Sequence, residues 1–93
     1  MPRYTNKQGQ YLTYVYYYSK LHGRPPAESE MQRYFRVSPA SEHQMVLLLE
    51  RNQLIARDPG APRSIRLNLT RPEFIELLSS LLLEAKDGSL SEA

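Results

Sequence analysis

The chain has no cysteine, so it can build neither a disulfide framework nor a thiolate metal site. Its two histidines, His22 and His43, are too few for an all-protein metal cage, and no metal or other cofactor is expected. No apolar run reaches the roughly 18 residues that a membrane span needs. The opening stretch MPRYTNKQGQ is polar and lacks the apolar segment of a signal peptide. No nucleophile–base pair and no pair of carboxylates at catalytic spacing stands out, so an enzyme is not expected. Internal repeats and low-complexity segments are also missing. What these absences leave is a cytoplasmic protein with no membrane role, acting by binding.

What is present fits one small globular unit. The 93 residues are enough for a single domain with a modest core, and 41% hydrophobic and 24% charged residues are ordinary for such a domain. The net charge of +2 is unevenly spread. Residues 1–69 hold ten Lys/Arg against five acids, whereas residues 70–93 hold two against five. A basic body followed by an acidic tail suits a polyanionic partner.

Three helices are expected in the first half. Thr5 with Gln8 three residues on is a capping box, in which hydroxyl and amide each satisfy a free backbone N–H of the other's turn. The helix it starts should run to about His22 and stop at Gly23, the residue that best tolerates a left-handed cap. Tyr11, Tyr14, Val15, Tyr18 and Leu21 recur at helical spacing as its buried stripe, with Tyr16 and Tyr17 flanking it. Arg24-Pro25-Pro26 is an extended link, because proline bars the residue before it from helical geometry. A short second helix spans Glu28 to Tyr34, with Met31 and Phe35 inward. Its cap position is Ala27, which has no acceptor, and Ser29 is the nearest hydroxyl to compensate. Arg36-Val37 is a turn. Ser38 and Pro39 then open a third helix to about Asn52, serine as cap and proline at the first position where its missing N–H costs nothing. Val46, Leu49 and Met45 face inward; Ser41, Glu42, His43 and Gln44 lie in the first turns.

After the third helix the period changes from helical to alternating. Leu54-Ile55-Ala56-Arg57 and Ser64-Ile65-Arg66-Leu67-Asn68-Leu69 read as strands, and Asp58-Pro59-Gly60-Ala61-Pro62 as the tip between them. Thr70 with Glu73 forms a second capping box. The helix it opens should reach Lys86, with Phe74, Leu77, Leu78, Leu81, Leu82 and Ala85 as a stripe that Ile75 and Leu83 widen beyond one face. Residues 87–93 are expected to fray. The expected architecture is mainly α with a small β-hairpin: a winged helix-turn-helix of three helices and a two-stranded wing over residues 1–69. An added amphipathic C-terminal helix follows over 70–86, with a tail over 87–93.

With the elements in this order, the segments Thr5-x-x-Gln8, Gly23-Arg24-Pro25-Pro26, Glu30-Met31, Ser38-Pro39 and Leu54 through Leu67 resemble the N-terminal DNA-binding domain of the LexA repressor family. The resemblance spans about residues 4–69. It implies a winged helix-turn-helix that binds double-stranded DNA as a dimer, with the third helix in the major groove and the wing on the backbone or minor groove. The family's self-cleaving peptidase domain, with its Ser-Lys dyad, is not expected here, since only about two dozen residues follow Leu69. Three further departures stand between residues 27 and 53. Arg36 replaces the glycine usual between the second and third helices, Asn52-Gln53 replaces a Lys-Gly, and Ala27 replaces a hydroxylated cap.

Helices in the major groove read base edges with side chains near their N-termini. Ser41, Glu42, His43 and Gln44 are therefore the candidate base readers. Ser38, whose helix amides favour phosphate, and Arg24, Arg36, Arg57, Arg63 and Arg66 are the candidate backbone and wing contacts, Arg63 foremost. Arg51 more naturally covers apolar surface with its stem. Phe74, Leu78, Leu81 and Leu82 are candidates for a homodimer interface through the C-terminal helix; the alternative for that helix is to cover the core. The reading that follows is a nucleoid-associated, sequence-specific transcriptional regulator that acts, as a repressor, by occupancy. The rival is a protein–protein interaction module on the same scaffold, its leucines and tyrosines binding another regulator or a DNA-bound protein.

Overall fold

The computed structural model describes residues 3–86. Its elements are α1 (Asn6–His22), α2 (Glu28–Phe35), α3 (Pro39–Arg51), β1 (Ile55–Ala56), β2 (Arg66–Leu67) and α4 (Arg71–Lys86). This is the expected mainly helical fold with a two-stranded wing and an added helix. The expected fraying of residues 87–93 concerns residues outside those described. No helix among the described residues is long and apolar enough to cross a membrane.

The helix ends follow the local chemistry. The Thr5 hydroxyl accepts from the Gln8 N–H at 3.2 Å, and the Gln8 side chain accepts from the Thr5 N–H at 2.9 Å. Gly23 ends α1 at φ 69°. At α2 the sequence-based expectation was incomplete. Ser29 does not stand in for the missing cap; Glu30 does, its carboxylate accepting from the Ala27 N–H at 2.8 Å. That is the return half of a capping box, the half an alanine leaves possible. Ser38 caps α3 through the Ser41 N–H at 3.1 Å.

The core joins all the elements. Tyr11, Leu12 and Val15 of α1 meet Met31 of α2, Val46 and Leu49 of α3, Leu54, Ile55 and Ile65 of the hairpin and Leu77 of α4. Phe35 stacks on Tyr11 with ring centroids 3.9 Å apart, closing the α1–α2 seam. One residue of the expected stripe on α1 is displaced. Leu21 is 80% exposed, because the buried face of α1 centres on Gln8, Tyr11, Leu12 and Val15 and Leu21 projects away from it, while Leu12 is fully buried. The strands pair antiparallel, Ile55 opposite Leu67 and Ala56 opposite Arg66. The tip is closed by Ser64, whose hydroxyl accepts from the Asp58 N–H at 3.0 Å and faces the Asp58 and Ala61 carbonyls at 3.2 and 3.0 Å.

α4 lies against α1. Leu77 is buried, and the Phe74 ring meets Tyr16 edge-on at 5.1 Å. The far end of α3 is tied to the start of α4 by Arg3. Its guanidinium donates to the Asn52 carbonyl at 2.6 Å and to the Gln53 carbonyl at 3.4 Å, and pairs with Glu73. Glu73 also accepts from the Thr70 N–H. The Arg3 bond, followed by that backbone bond, holds the Glu73 carboxyl down at about 2.

Candidate nucleic-acid interface

α3 turns one face to the core and the other to solvent. Glu42, Val46 and Leu49 are buried at i, i+4 and i+7. The opposite stripe runs Ala40, Gln44, Leu47, Arg51, with Ser41 and Leu48 along one side and His43 along the other; all seven are exposed. Four consecutive residues cannot share one helix face, and the four candidate base readers are accordingly split. Gln44 is central to the outer face. Ser41 is on its margin, its hydroxyl held 3.0 Å from that of Ser38. His43 leans toward α2, with Nδ1 3.5 Å from Glu28. Glu42 faces inward and is only 3% exposed, which removes it from any outer reading face.

The position of Glu42 was legible in principle. Val46 projected back by one helical turn, and Leu49 by two, land on residue 42. Its charge argued for solvent, and tertiary packing overrode that. Burial first, and then the nearby negative charge of Glu28, raise its carboxyl to about 7, with Arg57 pulling the other way. Its Oε2 atom is buried with no hydrogen-bond partner. Among the described residues no three side chains are placed to hold a metal ion.

The arginines also divide into two groups. Arg57 is taken up internally, bonding Glu50 at 3.1 Å and Glu28 at 3.3 Å. Arg63, foremost in the sequence-based expectation, is not free at the wing tip. Its Nη1 donates to Glu30 at 2.8 Å, to Tyr18 Oη at 3.2 Å and to the Pro25 carbonyl at 3.3 Å. Tyr18 in turn donates to Glu30 at 2.7 Å. Arg63 thus bolts the hairpin to the link between α1 and α2. The backbone bond from Ala27, then the bonds from Tyr18 and Arg63, lower the Glu30 carboxyl to about 2. Nothing in the sequence pairs residues 18, 30 and 63; only the fold does. Arg24 and Arg36 are exposed, and Arg66 is largely so, 3.6 Å from Asp58.

Two family departures acquire a physical meaning here. Arg36, at the turn into α3, has φ 56°, and Gln53, just after α3, has φ 60°. Both are left-handed positions where glycine is the relaxed residue. A third non-glycine residue of this kind is Arg63 itself, at φ 54°.

On α4 the four candidate interface residues are likewise not equivalent. Phe74 is partly covered by Tyr16, which makes it a poor candidate for an open interface. Leu78 is half-buried, and Leu82 is 71% exposed alongside Ile75 at 54%. The side chain of Leu81 lies outside the described residues.

No family model matches the chain. Among known proteins it is 32% identical over 77 residues to the LexA repressor of Thermosipho africanus, covering 83% of this chain and 38% of that protein. The chain resembles the LexA repressor family. The LexA repressor of Thermotoga neapolitana is 28% identical over 89 residues, covering 96% of this chain and 43% of the relative. That of Thermotoga maritima is 27% identical over 77 residues, covering 83% and 39%. The LexA-like chain thus spans about two fifths of the length of the relatives it matches.

Proposed function

We propose that this chain is a double-stranded DNA-binding transcriptional regulator that blocks transcription by occupying its site, without catalysis. The observation that carries the reading is the outer face of α3. It is an uncovered stripe of short, amide and apolar side chains beginning at a capped helix N-terminus, beside a closed β-hairpin. Similarity to proteins named as LexA repressors supports the same conclusion. In this reading Gln44, with Ser41 and His43 at the margins, addresses base edges, a glutamine amide matching the donor and acceptor of adenine. The N-terminal end of α3 at Ser38 and the exposed Arg24, Arg36 and Arg66 contact phosphates. Arg57 and Arg63 hold the wing in position.

Two copies act together in this proposal, paired through the open side of α4 at Ile75, Leu78 and Leu82. Sedimentation at tens of micromolar should give a dimer, and Leu78→Glu/Leu82→Glu a monomer. A monomeric wild-type protein overturns the pairing. DNA binding is tested by titrating the protein against genomic DNA fragments at two salt concentrations. Selected fragments and a steep loss of affinity with salt are expected. Arg36→Ala should weaken binding to every sequence, and Gln44→Ala should change which sequences are preferred. Failure to bind any fragment above background at low salt would favour the interaction-module reading instead. That reading draws on a groove of about 920 Å³ lined by Tyr14, Tyr17, Tyr34 and Phe35, beside exposed Leu21.

A further inference from the structure

We infer that the outer face of α3 recognises thymine through its C5-methyl group, using Leu47 and Leu48 beside the amide of Gln44. This rests on the DNA-binding reading above and goes beyond it by naming the base and the chemical group read.

The core has no use for these two leucines. Val46 and Leu49 already fill the inner side of α3 and are fully buried, whereas Leu47 and Leu48 are 37% and 36% exposed on the opposite side. The leucines follow Gln44 at i+3 and i+4, so all three side chains stand together on the helix surface. Arg51 follows Leu47 at i+4 and is exposed. The apolar part of this face is two half-covered leucines bordered by an amide, a hydroxyl and a cation. It falls well short of the several hundred Å² that mark a protein-docking patch.

In the major groove, adenine offers a donor and an acceptor that match an amide. The thymine opposite it offers one acceptor and a methyl group. An amide flanked by two leucines is therefore the complement of A·T pairs on both strands. Gln44 takes the purine edge, and the leucines bury the methyl of the same or the adjacent thymine. A G·C pair presents no methyl there and meets the leucines with polar edges. The half-site under the third turn of α3 is accordingly A·T.

The experiment uses the DNA fragment selected in the genomic titration, synthesised with deoxyuridine replacing one thymidine at a time. That exchange removes the methyl and leaves base pairing unchanged. One or two positions should weaken wild-type binding about three- to fivefold, the worth of one buried methyl. The effect should vanish in Leu47→Ala or Leu48→Ala and persist in Gln44→Ala, with circular dichroism checking that each variant folds. A duplex with all thymines replaced that binds as well as the original overturns the inference while leaving the DNA-binding reading intact. So does methyl sensitivity that survives in both leucine variants. If no fragment is selected at all, both fall together.

Discussion

Replacing Glu42 with glutamine should stabilise the protein at neutral and alkaline pH and do almost nothing in acid. The wild-type carboxyl is buried beneath α3 with Glu28 nearby, and it holds its proton up to about 7, against an ordinary value of 4.5. A group raised in the folded state makes its full contribution below the unfolded value. That contribution is lost as pH rises through the folded one. The difference corresponds to about 3 kcal/mol at about 1.4 kcal/mol per tenfold change in proton affinity. Local relaxation and solvent screening reduce that to on the order of 2 kcal/mol. Glutamine keeps the size and polarity of the protonated acid and never ionises, so Glu42→Gln escapes the loss. Thermal unfolding followed by circular dichroism from pH 4 to 8.5 measures it. The two proteins should melt together near pH 4, and at pH 8 the variant should melt roughly 10 °C higher, given about 4–8 °C per kcal/mol for a domain of this size. A difference that does not change with pH, or a variant less stable at pH 8, would refute the reasoning.

Other perturbations test other joints. Arg63→Ala should lower the melting temperature at pH 7 by releasing the hairpin from Glu30 and Tyr18. Because the Glu30 carboxyl is depressed to about 2, its stabilising effect is present above 4.5 and fades as pH falls toward 2. The variant and wild type should therefore converge in acid, as pH-dependent melts would show. Arg36→Gly relieves a left-handed residue and should raise stability in urea by about 0.5–1 kcal/mol, less whatever the more flexible unfolded chain takes back. Ala27→Ser supplies the missing acceptor at the start of α2, where the backbone is already extended at φ −81°, ψ 154°. It should add about 0.5–1 kcal/mol in the same assay. Leu12→Ala, at the fully buried centre of α1, should cost about 2–5 kcal/mol.

Where the chemistry is local, the sequence is readable. The Thr5–Gln8 box, Gly23, the Ser38-Pro39 start and the Asp58–Pro62 tip each depend on residues a few positions apart, and the helix ends and the turn lie where those signals put them; the strands, two residues each, are shorter than the alternating pattern suggests. The outer face of α3 was legible only in part. Val46 and Leu49 marked the side of α3 turned to the core, yet a charge at residue 42 masked the helical period that puts Glu42 inside. The arginines were the least legible. Whether Arg57 and Arg63 face a partner or their own chain depends on Glu28, Glu30, Glu50 and Tyr18, which are up to 45 residues distant. No short-range pattern records such pairings. The left-handed turns at Arg36 and Gln53 were hidden for a different reason, since neither residue type announces positive φ.

The Arg3 guanidinium joins the carbonyls just past α3 to the capping carboxylate of α4. That tie links the two helices at one point. Through it a change in the angle of α4 would be passed to the trailing end of α3, and a rotation of α3 to the base of α4. Two copies paired through α4 would hold their α3 helices at a set separation and phase, with little play between them. Such an assembly tolerates a wrong base better than a wrong spacing. Inserting one base pair between half-sites should harm it more than any single mismatch, and Arg3→Ala should soften that penalty.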